Sequence, residues 1–168
     1  IGALAFGVTR LAAALGGDSS AAPAPAPTTT TPAASTADGP AACGAADLQL
    51  SLTASATSYP AGANPELTLS IVNGGTHSCT FDASAANREI VITSGADRIW
   101  SSKDCQAETA EDLLLLGAGA SAPATVTWDR TRSAEGCPGG LPEPRPGTYK
   151  ATATVAGVTL PEVSFTLG

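Results

Sequence analysis

The sequence has no methionine, a single histidine, and charged side chains at only 14% of its 168 positions. Each scarcity removes a class of function. His77, the lone imidazole, sits in a Gly-Gly-Thr-His-Ser turn and reads as a solvated polar residue, with no nucleophile placed to form a triad with it. Eight Lys and Arg face fifteen Asp and Glu, for a net charge of −7 and an isoelectric point near 4.4. Such a surface repels phosphate backbones and carries no basic stripe, which argues against nucleic-acid binding. There is no Gly-rich phosphate loop and no D-x-D-x-D calcium spacing, so no cofactor and no metal are expected. Methionine is missing even from position 1, which reads as a chain that begins partway through a longer gene product.

What is present falls into three parts. Residues 1–17 are almost wholly apolar apart from Arg10. That is shorter than the ~20 apolar residues of a full membrane span. It suits the outer end of a trimmed transmembrane anchor or the remainder of a signal peptide, and export is expected either way. Residues 18–42 (DSSAAPAPAPTTTTPAASTADGPAA) contain no aromatic and no branched aliphatic residue. Their prolines oppose helix and sheet, so a disordered, extended spacer is expected. The threonine run beside prolines also suits O-glycosylation.

From Cys43 onward the pattern switches to period two. Leu48, Leu50 and Leu52 alternate with polar residues, as do Leu67, Leu69 and Ile71, and Val163, Phe165 and Leu167. This alternation places one apolar face on a half-buried strand. Turn clusters such as Asn73-Gly74-Gly75 and Pro146-Gly147 separate the runs. The expectation is an all-β, immunoglobulin-like antiparallel β-sandwich of seven or eight strands over residues 43–168, preceded by the apolar helix and the disordered linker. Residues 109–116 are the one place where a helix competes with a strand.

The four cysteines, Cys43, Cys79, Cys105 and Cys137, all lie in this folded part. An even count in an exported domain reads as two disulfides. Zinc ligation needs close pairs two to four residues apart, whereas these neighbours are dozens of residues apart. Three connectivities are open. In an up-and-down succession of strands the cysteines fall in loops at one end, and the expected pairing is Cys43–Cys79 with Cys105–Cys137.

Candidate recognition residues are Arg98, Trp100, Arg130 and Arg132, because Trp and Arg dominate interaction hot spots. Trp128 shares a face with Val126 and reads as core. The arginines also have Asp97, Asp104 and Asp129 within reach as surface partners. Glu108, Glu111 and Asp112 are the acids a glycosidase would need, but a charged loop is the commoner use of such a cluster.

The stretches SGADRIWSSKDC (94–105), VTWDRTRSAEGC (126–137) and PGTY (146–149) resemble those of a group of actinobacterial membrane-anchored or secreted proteins of unknown function. More loosely, the layout resembles the bacterial intracellular proteinase-inhibitor-type sandwich, a cytoplasmic family without disulfides. The resemblance implies an immunoglobulin-like sandwich and carries over no functional residue. The resulting expectation is a non-enzymatic, monomeric, cell-envelope-displayed binding or structural module. It would be held to the membrane by its N-terminal segment and would meet an unidentified protein or cell-wall component. A recognition surface is expected among residues 104–112 and 129–146, beside the cysteine end. The alternatives are an extracytoplasmic protease inhibitor, which would use the proline-rich 139–146 loop, and an envelope hydrolase.

Overall fold

A computed structural model describes residues 39–107 and 110–168. The apolar segment 1–17 and nearly all of the spacer lie outside these residues. Among those described, no helix is long and apolar enough to cross a membrane.

Eleven strands make up the domain: β1 (Leu48–Ala54), β2 (Ser58–Tyr59), β3 (Glu66–Asn73), β4 (Cys79–Asp82), β5 (Arg88–Ser94), β6 (Asp97–Ser101), β7 (Leu113–Leu116), β8 (Ala124–Thr127), β9 (Gly147–Val155), β10 (Val158–Thr159) and β11 (Val163–Leu167). Among the described residues one 3₁₀ turn, Ala85–Asn87, precedes β5. One sheet has the order β1-β3-β8, and the second runs β2-β11-β9-β5-β6 with β10 hairpinned onto β9. A two-stranded ribbon, β4-β7, completes the fold. The all-β sandwich is as the alternation implies, but the strand count is higher than seven or eight. β2 and β10 are two residues each and β4 is four, too short to show a period. All named pairs are antiparallel except β2 with β11.

Alternation translates directly into burial. Leu67, Leu69, Ile71 and Asn73 of β3 point inward, as do Tyr149, Ala151, Ala153 and Val155 of β9. Residues from both sheets meet in one continuous core. Two of the four inward residues of β9 are alanines, and the bulkiest fully buried side chains of the core are Trp128 and Phe165. Trp128 is fully buried, and its ring packs 5.5 Å from Tyr149 and 6.3 Å from Phe165. The edge-to-face pair with Phe165 contributes beyond simple area burial.

The competition between helix and strand at 113–116 resolves to strand β7. It is not a fully buried one, because Leu113 and Leu115 are exposed while Leu114 and Leu116 face inward. Both disulfides form as expected, Cys43–Cys79 and Cys105–Cys137. Closing loops of 36 and 32 residues, each stabilises by about 4 kcal/mol on the chain-entropy model. Cys79 is not a loop residue, however, but the first of β4. The folded unit also starts slightly before Cys43. Ala41 accepts a hydrogen bond from the Thr80 amide, and the Cys43 amide donates to the Thr80 carbonyl, so residues 40–42 belong to the edge of β4 rather than to the spacer.

Asn73 ends β3 as a fully buried amide. Its Nδ2 donates to the carbonyls of His77, Leu116 and Gly117, and its Oδ1 accepts from the Gly75 amide. It thereby joins the end of β3 to the end of β7, with the buried amide satisfied as burial demands. His77 itself is exposed, with Nδ1 beside the Thr76 hydroxyl.

Candidate functional site

No strand interrupts the chain from Trp128 to Pro146, and this long segment is held by hydrogen bonds that involve several side chains. It begins at Trp128, whose indole Nε1 donates to the Thr131 carbonyl at 2.8 Å. Asp129 accepts from the Thr131 amide and hydroxyl and not from an arginine. The loop then runs beside β6, the edge strand of the larger sheet.

There it satisfies three backbone groups of that edge. Arg132 Nη1 donates to the Arg98 carbonyl (3.2 Å), the Ser133 amide donates to the Ile99 carbonyl (3.0 Å), and Ser133 Oγ accepts from the Ser101 amide (3.0 Å). Ile99 is the extra residue of a bulge: Trp100 pairs with Ile92 and Arg98 with Thr93, which leaves Ile99 without a ladder partner. The loop thus supplies what a neighbouring strand would, which protects an otherwise open edge.

Beneath the loop lies Asp104, whose side chain is only 5% exposed. It accepts from Arg98 Nη2 at 2.6 Å and from Ser133 Oγ. Burial alone pushes this carboxyl upward, but the hydrogen bonds from Arg98 and Ser133 and the Arg98 charge outweigh it, holding Asp104 below the ordinary carboxylate range. Asp97 is held low by its hydrogen bond from Arg132 Nη2 at 2.9 Å, against a smaller burial effect. Directly after Asp104 comes Cys105, whose bridge to Cys137 fastens the far side of the loop.

The candidate recognition residues are therefore not one free patch. Arg98 and Arg132 meet at the β5–β6 hairpin, each already paired with an aspartate. Arg132 also donates to the Pro142 and Arg98 carbonyls. Arg130, at φ +61°, turns away to the carbonyls of Pro60, Ala63 and Gly168. Trp100 is half-buried against the core. The physical reason is common to the three arginines: backbone carbonyls and carboxylates around a strandless segment need donors, and these side chains provide them.

What remains exposed lies largely in the 129–146 stretch expected to carry a recognition surface, although Glu143 and Arg145 were not named individually from the sequence. Between the β5–β6 turn and the proline-rich end of the loop lies a cleft of about 280 Å³, lined by Asp97, Arg132, Pro142, Glu143, Arg145 and Tyr149. Its floor is rigid, because Tyr149 Oη donates to the Arg145 carbonyl and Arg132 Nε to that of Pro142. The Glu143 and Arg145 side chains are exposed, without a hydrogen bond among the described residues. The Pro144-Arg145-Pro146 run was the available signal for this cleft, since prolines flanking a charge stiffen the backbone that presents it. Of the acids considered for hydrolysis, Glu108 lies outside the described residues. Asp112 contributes backbone groups that bond Asp82 and Ala83.

No protein-family model matches the chain, and no curated protein does. Among solved structures, the alkylpurine DNA glycosylase AlkC of Pseudomonas fluorescens, bound to DNA with an abasic-site analogue, aligns over 73% of this chain and 30% of its own, at 13% identity and a TM-score of 0.46. A β-glucosidase of Erythrobacter marinus aligns over 72% of this chain and 16% of its own, at 15% identity and a TM-score of 0.43. For a β-glucosidase of Listeria innocua in complex with glucose the shares are the same, at 11% identity and a TM-score of 0.40. The chain spans less than a third of the length of each.

Proposed function

We propose that this chain is a non-enzymatic module displayed at the cell envelope, which binds a protein or cell-wall component through the 129–146 loop and the cleft beside it. The observation that carries the reading is a loop fixed from beneath and exposed above. Its inner side is tied by Trp128, Arg132, Ser133, Cys137 and Tyr149, while residues 135–140 and the side chains of Glu143 and Arg145 face solvent. A loop held on a rigid scaffold loses little entropy on binding. Two closed disulfides suit an extracytoplasmic compartment, and in this reading residues 1–17 supply the membrane attachment.

The test is retention of the full chain on isolated cell envelopes by sedimentation, beside a Glu143→Ala/Arg145→Ala variant. Because neither side chain holds the domain together, the variant keeps its melting temperature and loses about tenfold in retention, the scale of one hot-spot contact. Equal retention would remove the cleft as the binding surface. Arg130→Ala or Arg132→Ala is a poorer probe, since each also strips donors from internal carbonyls.

One observation favours a second reading, an extracytoplasmic protease inhibitor. The exposed 139–146 stretch has two of its carbonyls, Pro142 and Arg145, bonded from inside, which is the support an extended loop needs to enter a protease cleft without collapsing. Titration against a panel of extracellular proteases decides it: absence of stoichiometric inhibition ends this reading.

A further inference from the structure

The two disulfides differ in their surroundings. Cys79 is buried and Cys43 packs half-buried against the core. Cys105 and Cys137 are both exposed. From Ala134 to Leu141 the loop makes no hydrogen bond to another element among the described residues, only the internal turn from the Cys137 amide to the Ala134 carbonyl. The Cys105–Cys137 bridge is what tethers this stretch. Cys137 is also held at φ +55°, a left-handed conformation that costs a non-glycine residue energy and is relieved once the chain is free.

We infer that Cys105–Cys137 is a reducible latch over the open edge of β6, opened by a dithiol reductant while Cys43–Cys79 stays closed. Thiol–disulfide exchange requires in-line access of a thiolate to one sulfur, and a bridge between two exposed cysteines offers more of it than one between a buried and a half-buried cysteine. One thiolate of the reductant attacks the Sγ of Cys105 or Cys137, breaking the bridge and releasing the other cysteine as a thiolate. The reductant's second thiol then attacks the mixed disulfide and leaves as a cyclic disulfide. Two electrons pass from reductant to protein, and the two cysteines finish as thiols with the reductant's protons. With the latch open, the Ser133 and Arg132 contacts to Arg98, Ile99 and Ser101 lose the covalent restraint that keeps the loop registered. The edge of β6 then becomes available to another extended chain. The latch stands whatever the loop binds.

The experiment uses the full oxidised chain and dithiothreitol over a time course, quenched with N-ethylmaleimide and read by peptide mapping, with amide hydrogen exchange on the partly reduced protein. Cys105 and Cys137 are expected to be alkylated at least about tenfold sooner than Cys43 and Cys79. Faster exchange is expected at Ser101 and Ser133, with Leu69 and Ile92 unchanged. Equal rates, earlier opening of Cys43–Cys79, opening without faster exchange at Ser101, or loss of protection throughout the core would each overturn the latch. A Cys105→Ser/Cys137→Ser variant should show the opened exchange pattern without reductant. If that variant fails to fold, the reduction time course on the natural sequence still decides.

Discussion

Replacing Ser133 by alanine removes one oxygen and tests how the loop is held. Ser133 is buried, and its hydroxyl accepts from the Ser101 amide while donating to Asp104. Ser133→Ala orphans the amide of Ser101, itself 2% exposed, at about 1–3 kcal/mol. It also takes from Asp104 a charge-assisted hydrogen bond that Arg98 alone does not replace. The two losses share one network and do not add fully, so about 3 kcal/mol is expected. For a domain of this size that corresponds to a fall of roughly 10 °C in melting temperature. Urea denaturation with both disulfides intact measures the free energy. Hydrogen exchange locates it, with the Ser101 amide losing protection more than the amides of β3. A cost below about 0.5 kcal/mol, the range of ordinary surface substitutions, would refute the view that the loop caps the β6 edge.

Acid titration and one turn substitution provide further checks. Asp82 (chiefly through the Ser84 and Asp112 amides), Asp97 and Asp104 are all held below the ordinary carboxylate range. A carboxyl with a depressed folded pKa contributes stability that is present above its unfolded pKa and lost as pH falls through the folded one. Stability should therefore hold from neutral pH to about 4 and decline below it, with Asp104→Asn flattening that decline in urea melts at pH 6, 4 and 3. An unchanged slope in that variant would show that Asp104 does not set the acid limb. The β9–β10 hairpin turns through Ala156 at φ +47° and Gly157 at φ +78°, where asparagine fits the first position better than alanine. Ala156→Asn is expected to stabilise by about 0.5–1 kcal/mol, and a lower melting temperature would count against strain at that turn.

Much of the fold was legible because strand periodicity is a local property. The alternation in Leu67–Ile71 and Val163–Leu167 predicts which side chains are buried, and the structure buries Leu67, Leu69, Ile71, Phe165 and Leu167 accordingly. The pairing of cysteines was one of three open connectivities; the expected one forms, although Cys79 begins a strand instead of lying in a loop. The recognition residues were not legible. Arg98 and Arg132 do pair with aspartates the sequence offered, Asp104 and Asp97, yet Arg130 holds carbonyls as distant in sequence as Pro60 and Gly168. Ser133 and Asn73 carry no sequence signal for the networks they anchor.

The sequence by itself determined an all-β sandwich with two disulfides, since alternating apolar side chains must share a core and even cysteines in a folded domain find partners. Only the tertiary structure decided which edge was left open, which loop closed it, and which polar side chains were spent doing so. Those outcomes depend on backbone groups brought together from distant parts of the chain, and a strand's unpaired carbonyls are invisible until its neighbours are known.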